Sequence, residues 1–100
     1  MKVVWTEQAW DRLLEIEAFV ARDDSRAAAR LVDRIIDRGN ALALHPERGR
    51  RLRELPESGL RELIMGNYRV VYRLASEIVG VLTVFEGHRL LRDDELSCGE

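Results

Sequence analysis

The feature that most constrains this chain is a change of hydrophobic period partway along it. Up to about residue 44, apolar side chains recur at three- and four-residue intervals, the spacing of one face of an α-helix. From residue 60 onward they fall in short runs rich in β-branched and aromatic residues, the signature of strands. A chain of 100 residues has room for one core and one domain, here residues 1–100. Helices and strands that are segregated in sequence yet share one core form an α+β fold.

The punctuation between the runs sharpens that expectation. Lys2–Trp5 reads as a short strand, and Thr6 as the N-cap of a helix with Glu7 in its first turn. Ala9, Trp10, Leu13, Leu14, Ile16, Phe19 and Val20 form its apolar stripe, ending near Arg22. Asp23-Asp24 is a break, and Ser25 is a good N-cap for a second helix running from Arg26 toward Leu44. Its stripe is Ala28, Leu31, Val32, Ile35, Ile36 and Leu42, with Gly39 and Asn40 expected to weaken or kink it. Pro46 ends the helix, and residues 47–59 read as a loop. Leu60–Met65, Tyr68–Ala75 and Ile78–Phe85 then read as strands, separated by the turn signals Gly66-Asn67 and Ser76-Glu77. The expected architecture is an N-terminal strand, an α-helical hairpin and an antiparallel β-meander, with both helices on one face of the sheet. The last run is apolar on both faces and is placed centrally. Trp5 and Trp10 are expected to anchor the core between the first strand and the first helix; Tyr68 and Tyr72 are expected to pack on the sheet.

Composition narrows the function. An apolar fraction of 46% excludes a disordered chain. No apolar run reaches the length of a membrane span, and Met1–Trp5 is too short for a secretory signal, so a cytoplasmic, non-membrane protein is expected. Cys98 is the single cysteine, which excludes an internal disulfide and a cysteine zinc cluster; no metal or cofactor is expected. The net charge is −2, low for a stand-alone RNA-binding domain, and it is unevenly placed. Residues 47–92 hold nine Arg against six Glu, whereas residues 93–100 hold four acids and read as a flexible acidic tail.

In the second strand run, Arg69, Val71 and Arg73 share one face and Tyr68, Val70, Tyr72 and Leu74 the other. The plain reading makes Arg69 and Arg73 a solvated strand face, Arg61 and Glu62 surface ion-pair partners, and Arg48, Arg50, Arg51 and Arg53 a solvated loop. His45 then serves as a helix C-terminal residue.

A further pattern joins these pieces: Pro46, Gly49-Arg50, Arg61-Glu62-Leu63, Tyr68-Arg69-Val70-Val71-Tyr72-Arg73 and Val84-Phe85-Glu86-Gly87-His88-Arg89. In this order and at these spacings the chain resembles the RelE/ParE toxin superfamily of type II toxin–antitoxin systems, closer to its ParE-like members. The resemblance covers nearly the whole chain. It implies a toxin neutralised by a cognate antitoxin, of ribbon–helix–helix type, with operator DNA contacted only through that complex. Two targets follow from the family. ParE-like members inhibit DNA gyrase, whereas RelE-like members cleave mRNA on the ribosome without a metal.

For cleavage, Arg69 and Arg89 align with arginines that serve the phosphate, His88 is the candidate acid or base, and Glu62 a candidate base. On that reading the face carrying Arg69 and Arg73 is the catalytic floor. For binding of antitoxin or target, the candidates are Arg50, Arg51, Arg53, Arg61, Arg69 and Arg73. Three features weigh toward gyrase. The strand before the hairpin reads Arg61-Glu62-Leu63 instead of carrying a basic pair. The stretch from Leu90 to Glu100 has no aromatic residue. The acidic balance disfavours approach to a polyanion. A non-toxic interaction module sharing this fold is the remaining alternative.

Overall fold

The computed structural model describes residues 1–86. His88, Arg89, Cys98 and the acidic stretch 93–100 lie outside the described residues. Five strands form one mixed sheet in the order β1-β5-β4-β3-β2. These are β1 (Lys2–Trp5), β2 (Arg50–Arg51), β3 (Leu60–Met65), β4 (Tyr68–Ala75) and β5 (Ile78–Glu86). The helices α1 (Glu7–Ala21) and α2 (Ser25–Asn40) pack on one face. No helix among the described residues is long and apolar enough to cross a membrane.

The meander is antiparallel as expected, but β1 joins it in parallel alongside β5, from Lys2 opposite Ile78 to Trp5 opposite Val81. The apolar β5 is therefore flanked on both sides, while β4 is the middle strand. A bulge explains why β5 lacks clean alternation. Val71 pairs with Thr83 and Tyr72 with Val81, leaving Leu82 as an extra residue between them. The bulge shifts the phase, so Val81 and Val84 join the core under the helices while Leu82 and Phe85 join a second cluster.

Both helix starts are capped by side-chain oxygens. The Thr6 hydroxyl accepts from the Ala9 N–H at 3.1 Å and donates to the Leu82 carbonyl at 2.8 Å, tying α1 to β5. At α2 the cap is Asp24, not Ser25; its carboxylate accepts from the backbone N–H groups of Arg26 and Ala27. An acidate at this position bonds two orphan donors and complements the helix dipole, which a Ser one residue later does not.

α2 runs unbroken through Gly39 and Asn40, then tightens into a 3-10 turn at Ala41–Ala43. The Gly-Asn pair is a seat for Trp5. A Cβ on Gly39 would lie 2.5 Å from the Trp5 ring, and the Trp5 indole N–H donates to the Asn40 Oδ1 at 2.9 Å. Trp10 lies with its ring 5.5 Å from that of Trp5 but remains 44% exposed, so it flanks the core instead of anchoring it. Leu14 and Phe19 are more than 60% exposed, because α1 buries mainly Ala9 and Leu13 and packs Ile16 at the margin. The apolar stripe of α1 is thus wider than the sheet beneath it can cover.

Candidate functional site

The opposite face of the sheet carries the residues of interest. On β3, Leu60 and Glu62 point there; on β4, Arg69 and Val71. Part of this face is roofed by residues 52–59, a strap that follows β2. Leu52 is fully buried and Leu55 packs beside it, against Leu60, Val71, Leu82 and Phe85. Residues 47–59 are therefore an anchored segment with a short strand of its own, not a solvated loop. The signal was present in the sequence: two leucines three residues apart among arginines and prolines are apolar groups that water would not favour.

The strap is held where it enters. The Tyr72 hydroxyl, buried in the core, donates to the Pro46 carbonyl and accepts from the Gly49 N–H, both at 2.8 Å. Burial raises the Tyr72 phenol above its ordinary pKa, since the phenolate would be poorly solvated there. Gly49 has no room for a side chain, because a Cβ would lie 2.5 Å from the Tyr72 hydroxyl and 2.7 Å from the Glu62 carbonyl oxygen. Arg61 adds a bond to the Gly49 carbonyl at 2.6 Å.

Beyond this point four charged side chains meet. Glu62, fully buried, accepts from the Arg69 Nε at 2.5 Å and from the Arg50 Nε at 3.1 Å, one bond to each carboxylate oxygen. The outer edge of the Arg69 guanidinium reaches up to the strap, where Nη1 and Nη2 donate to the two oxygens of Glu54 at 2.7 and 2.8 Å. The Arg69 side chain is only 8% exposed and sits over the Phe85 ring, 5.9 Å from its centre. Paired hydrogen bonds from a planar fork to a carboxylate are the strong form of this contact. They hold the Glu54 carboxyl below its ordinary pKa, and they push the Arg69 guanidinium further upward despite its burial.

The candidate residues thus separate. Arg50, Glu62 and Arg69 come together, and the sequence reading missed their fourth member, Glu54. Arg61 and Glu62 do not pair with each other; the register sets Arg50, not Arg61, opposite Glu62. Arg51 and Arg53 are exposed at the edge and on the strap, and Arg73 lies half-buried further along β4. An open groove of about 510 Å³ runs between α1 and the adjoining ends of β4 and β5, past Ile16, Phe19 and Tyr68.

The chain as a whole is similar to known proteins. Residues 3–91 match the family described as the ParE toxin of the type II toxin–antitoxin system parDE. Y4kP of Sinorhizobium fredii, which carries a toxin designation, is 39% identical over 90 residues, covering 88% of this chain and 90% of its own. Toxin RelE2 of Caulobacter vibrioides is 32% identical over 90 residues, covering 89% of this chain and 98% of its own. The fold is similar to a chain in the chromosomal ParDE system of P. aeruginosa, with a TM-score of 0.73 and 21% identity over 86% of this chain and 95% of that one. It is also similar to a chain in the RelBE2 toxin–antitoxin complex of Mycobacterium tuberculosis, with a TM-score of 0.65 and 24% identity over 85% and 95%.

Proposed function

Because the chain belongs to the ParE toxin family of type II toxin–antitoxin systems, we propose that it is neutralised by a cognate antitoxin and that, when free, it inhibits DNA gyrase. One observation carries the choice of gyrase over RNA cleavage: Arg69 and Glu62 are committed to each other and to their neighbours. A general base must present a lone pair to the reacting hydroxyl. Both oxygens of Glu62 already accept from arginines, and the group is buried. An arginine that serves a phosphate must present its fork, and the Arg69 fork is filled by Glu54. A gyrase inhibitor needs a folded surface and no acid–base pair.

The antitoxin reading rests on the helical hairpin. Trp10, Leu14 and Phe19 expose large apolar surfaces on α1, and the groove beside Phe19 and Tyr68 continues them. Such a surface suits the apolar side of a segment that folds on contact. Solved structures of a ParDE system and of a RelBE2 toxin–antitoxin complex share this fold. A ribbon–helix–helix antitoxin would contribute the operator contacts.

The test adds purified, antitoxin-free protein to gyrase, ATP and relaxed plasmid. Blocked supercoiling or trapped linear DNA is the expected result. Normal supercoiling by a folded preparation, together with cleavage of mRNA on ribosomes, would replace this reading with the nuclease one.

A further inference from the structure

The two helices of the hairpin carry opposite charge. α1 holds Glu7, Asp11, Glu15 and Glu17 against Arg12 alone, a net of −3. α2 holds Arg26, Arg30, Arg34 and Arg38 against Asp33 and Asp37, a net of +2, with all six side chains exposed. Arg34 and Arg38 border a groove of about 360 Å³ between α2 and the β3–β4 hairpin, floored by Leu31, Met65 and Tyr68. Among the described residues, no ion pair or side-chain hydrogen bond holds either arginine. Resting on the gyrase reading above, we propose that this groove is where the toxin meets its target, seating an acidic segment of gyrase that carries an apolar anchor residue.

The groove defines its occupant. Arg34 and Arg38 are four residues apart on one helix, so they suit two carboxylates about 6 Å apart. The floor calls for an apolar side chain, because Leu31, Met65 and Tyr68 pack against the core yet stay partly open to water. A nucleic-acid backbone fits less well. It brings no apolar group to that floor, and it carries charge at every step, so it meets Asp33 and Asp37 as well as the arginines. A peptide can place its carboxylates on the arginines alone. Charge also separates this surface from the apolar one on α1, whose acids would repel the segment that α2 attracts. The antitoxin and the target therefore meet different faces of the hairpin. Those faces join at one residue, since Tyr68 lines both this groove and the one beside Phe19. An antitoxin seated against Tyr68 from the α1 side crowds the seat of the target, and neutralisation follows from that overlap.

The experiment measures binding to purified gyrase, and inhibition of supercoiling, for three antitoxin-free proteins: the wild type, Arg34→Glu with Arg38→Glu, and Arg26→Glu with Arg30→Glu. The two double variants change the net charge equally at exposed positions of one helix, but only the first borders the groove. The groove variant should bind and inhibit gyrase about tenfold or more weakly, and the other should lose less than about threefold. Both should still be captured by the cognate antitoxin. Should the groove variant fail to fold, Arg34→Gln with Arg38→Gln is read by the same criteria. Equal losses in the two double variants would overturn the proposal, because overall charge and not the groove would then govern binding. So would a loss confined to antitoxin capture, or groove-dependent binding to a DNA duplex in the absence of gyrase. Wild-type protein without effect on gyrase defeats the gyrase reading and this inference with it. Inhibition by the wild type and the groove variant alike defeats the groove alone.

Discussion

On its helix side the sheet buries Leu63, Val70, Tyr72, Val79, Val81 and Val84 beneath Ala9, Leu13, Ile35 and Leu42. On its strap side it buries a smaller apolar group, Leu52, Leu60, Val71, Leu82 and Phe85, and places four charges at that group's edge. The first face is closed by helices whose backbone hydrogen bonds are internal, so apolar area is the main thing that holds them down, with a few side-chain bonds such as Thr6 to the Leu82 carbonyl at the margin. The second is closed by a strap with little regular structure, and its position depends on polar contacts aimed at single atoms. A cover of the first kind tolerates small changes in side-chain shape. A cover of the second kind fails when one donor or acceptor is lost.

The comparison predicts where substitution hurts. The largest effect expected among polar positions is Arg69→Gln, which leaves the buried Glu62 with Arg50 alone and frees Glu54. A loss of about 3–5 kcal/mol in urea unfolding is expected, the cost of breaking a buried pair from one side. Leu14→Ala on the exposed part of α1 should cost at most about 0.5 kcal/mol in the same assay. Were the two losses alike, the contrast between the faces would not stand.

Tyr72→Phe comes next. It keeps the ring in the core and removes only the hydroxyl that joins Pro46 to Gly49, for an expected loss of about 1–3 kcal/mol. Amide exchange should locate this loss at the strap, with the helices protected as before.

The smallest effect is one of pH. The bond from Arg69 holds the Glu54 carboxyl below its ordinary pKa, so the folded chain favours the ionised form more than the unfolded chain does. That contribution is present above the usual Glu range and is lost as the pH falls through the depressed value. Glu54→Gln should flatten this part of the acid unfolding curve. An unchanged curve would mean that the pair is not formed in solution.

The two faces also differ in how far they could be read from sequence. Period and punctuation placed the helices and the three meander strands, because burial on one face imposes a spacing on every turn or every second residue. The Thr6 cap and the Gly66-Asn67 turn were local signals of the same kind; Gly66 adopts a φ of 58°, where glycine has no Cβ to strain. Pairings distant in sequence were not legible. The parallel union of β1 with β5 spans 76 residues at its first pair, Lys2 with Ile78, and no local pattern encodes it. The Leu82 bulge hid the alternation of β5. Glu54 looked like one more charge in an arginine-rich loop, because the fork that receives it lies 15 residues away on β4. Arg69 was recognisable as important from its neighbours in sequence, but its partners, and hence its chemistry, came only from the fold.

The most direct test of this account is a double-mutant cycle on Glu54 and Arg69, using Glu54→Gln, Arg69→Gln and the double variant in urea unfolding. If Arg69 serves as the bolt of the strap, the two substitutions will be non-additive, with a coupling of about 1–2 kcal/mol and unchanged helix protection in amide exchange. Additive losses would contradict it, because they would mean that the guanidinium is not engaged by the strap and is free to serve a substrate.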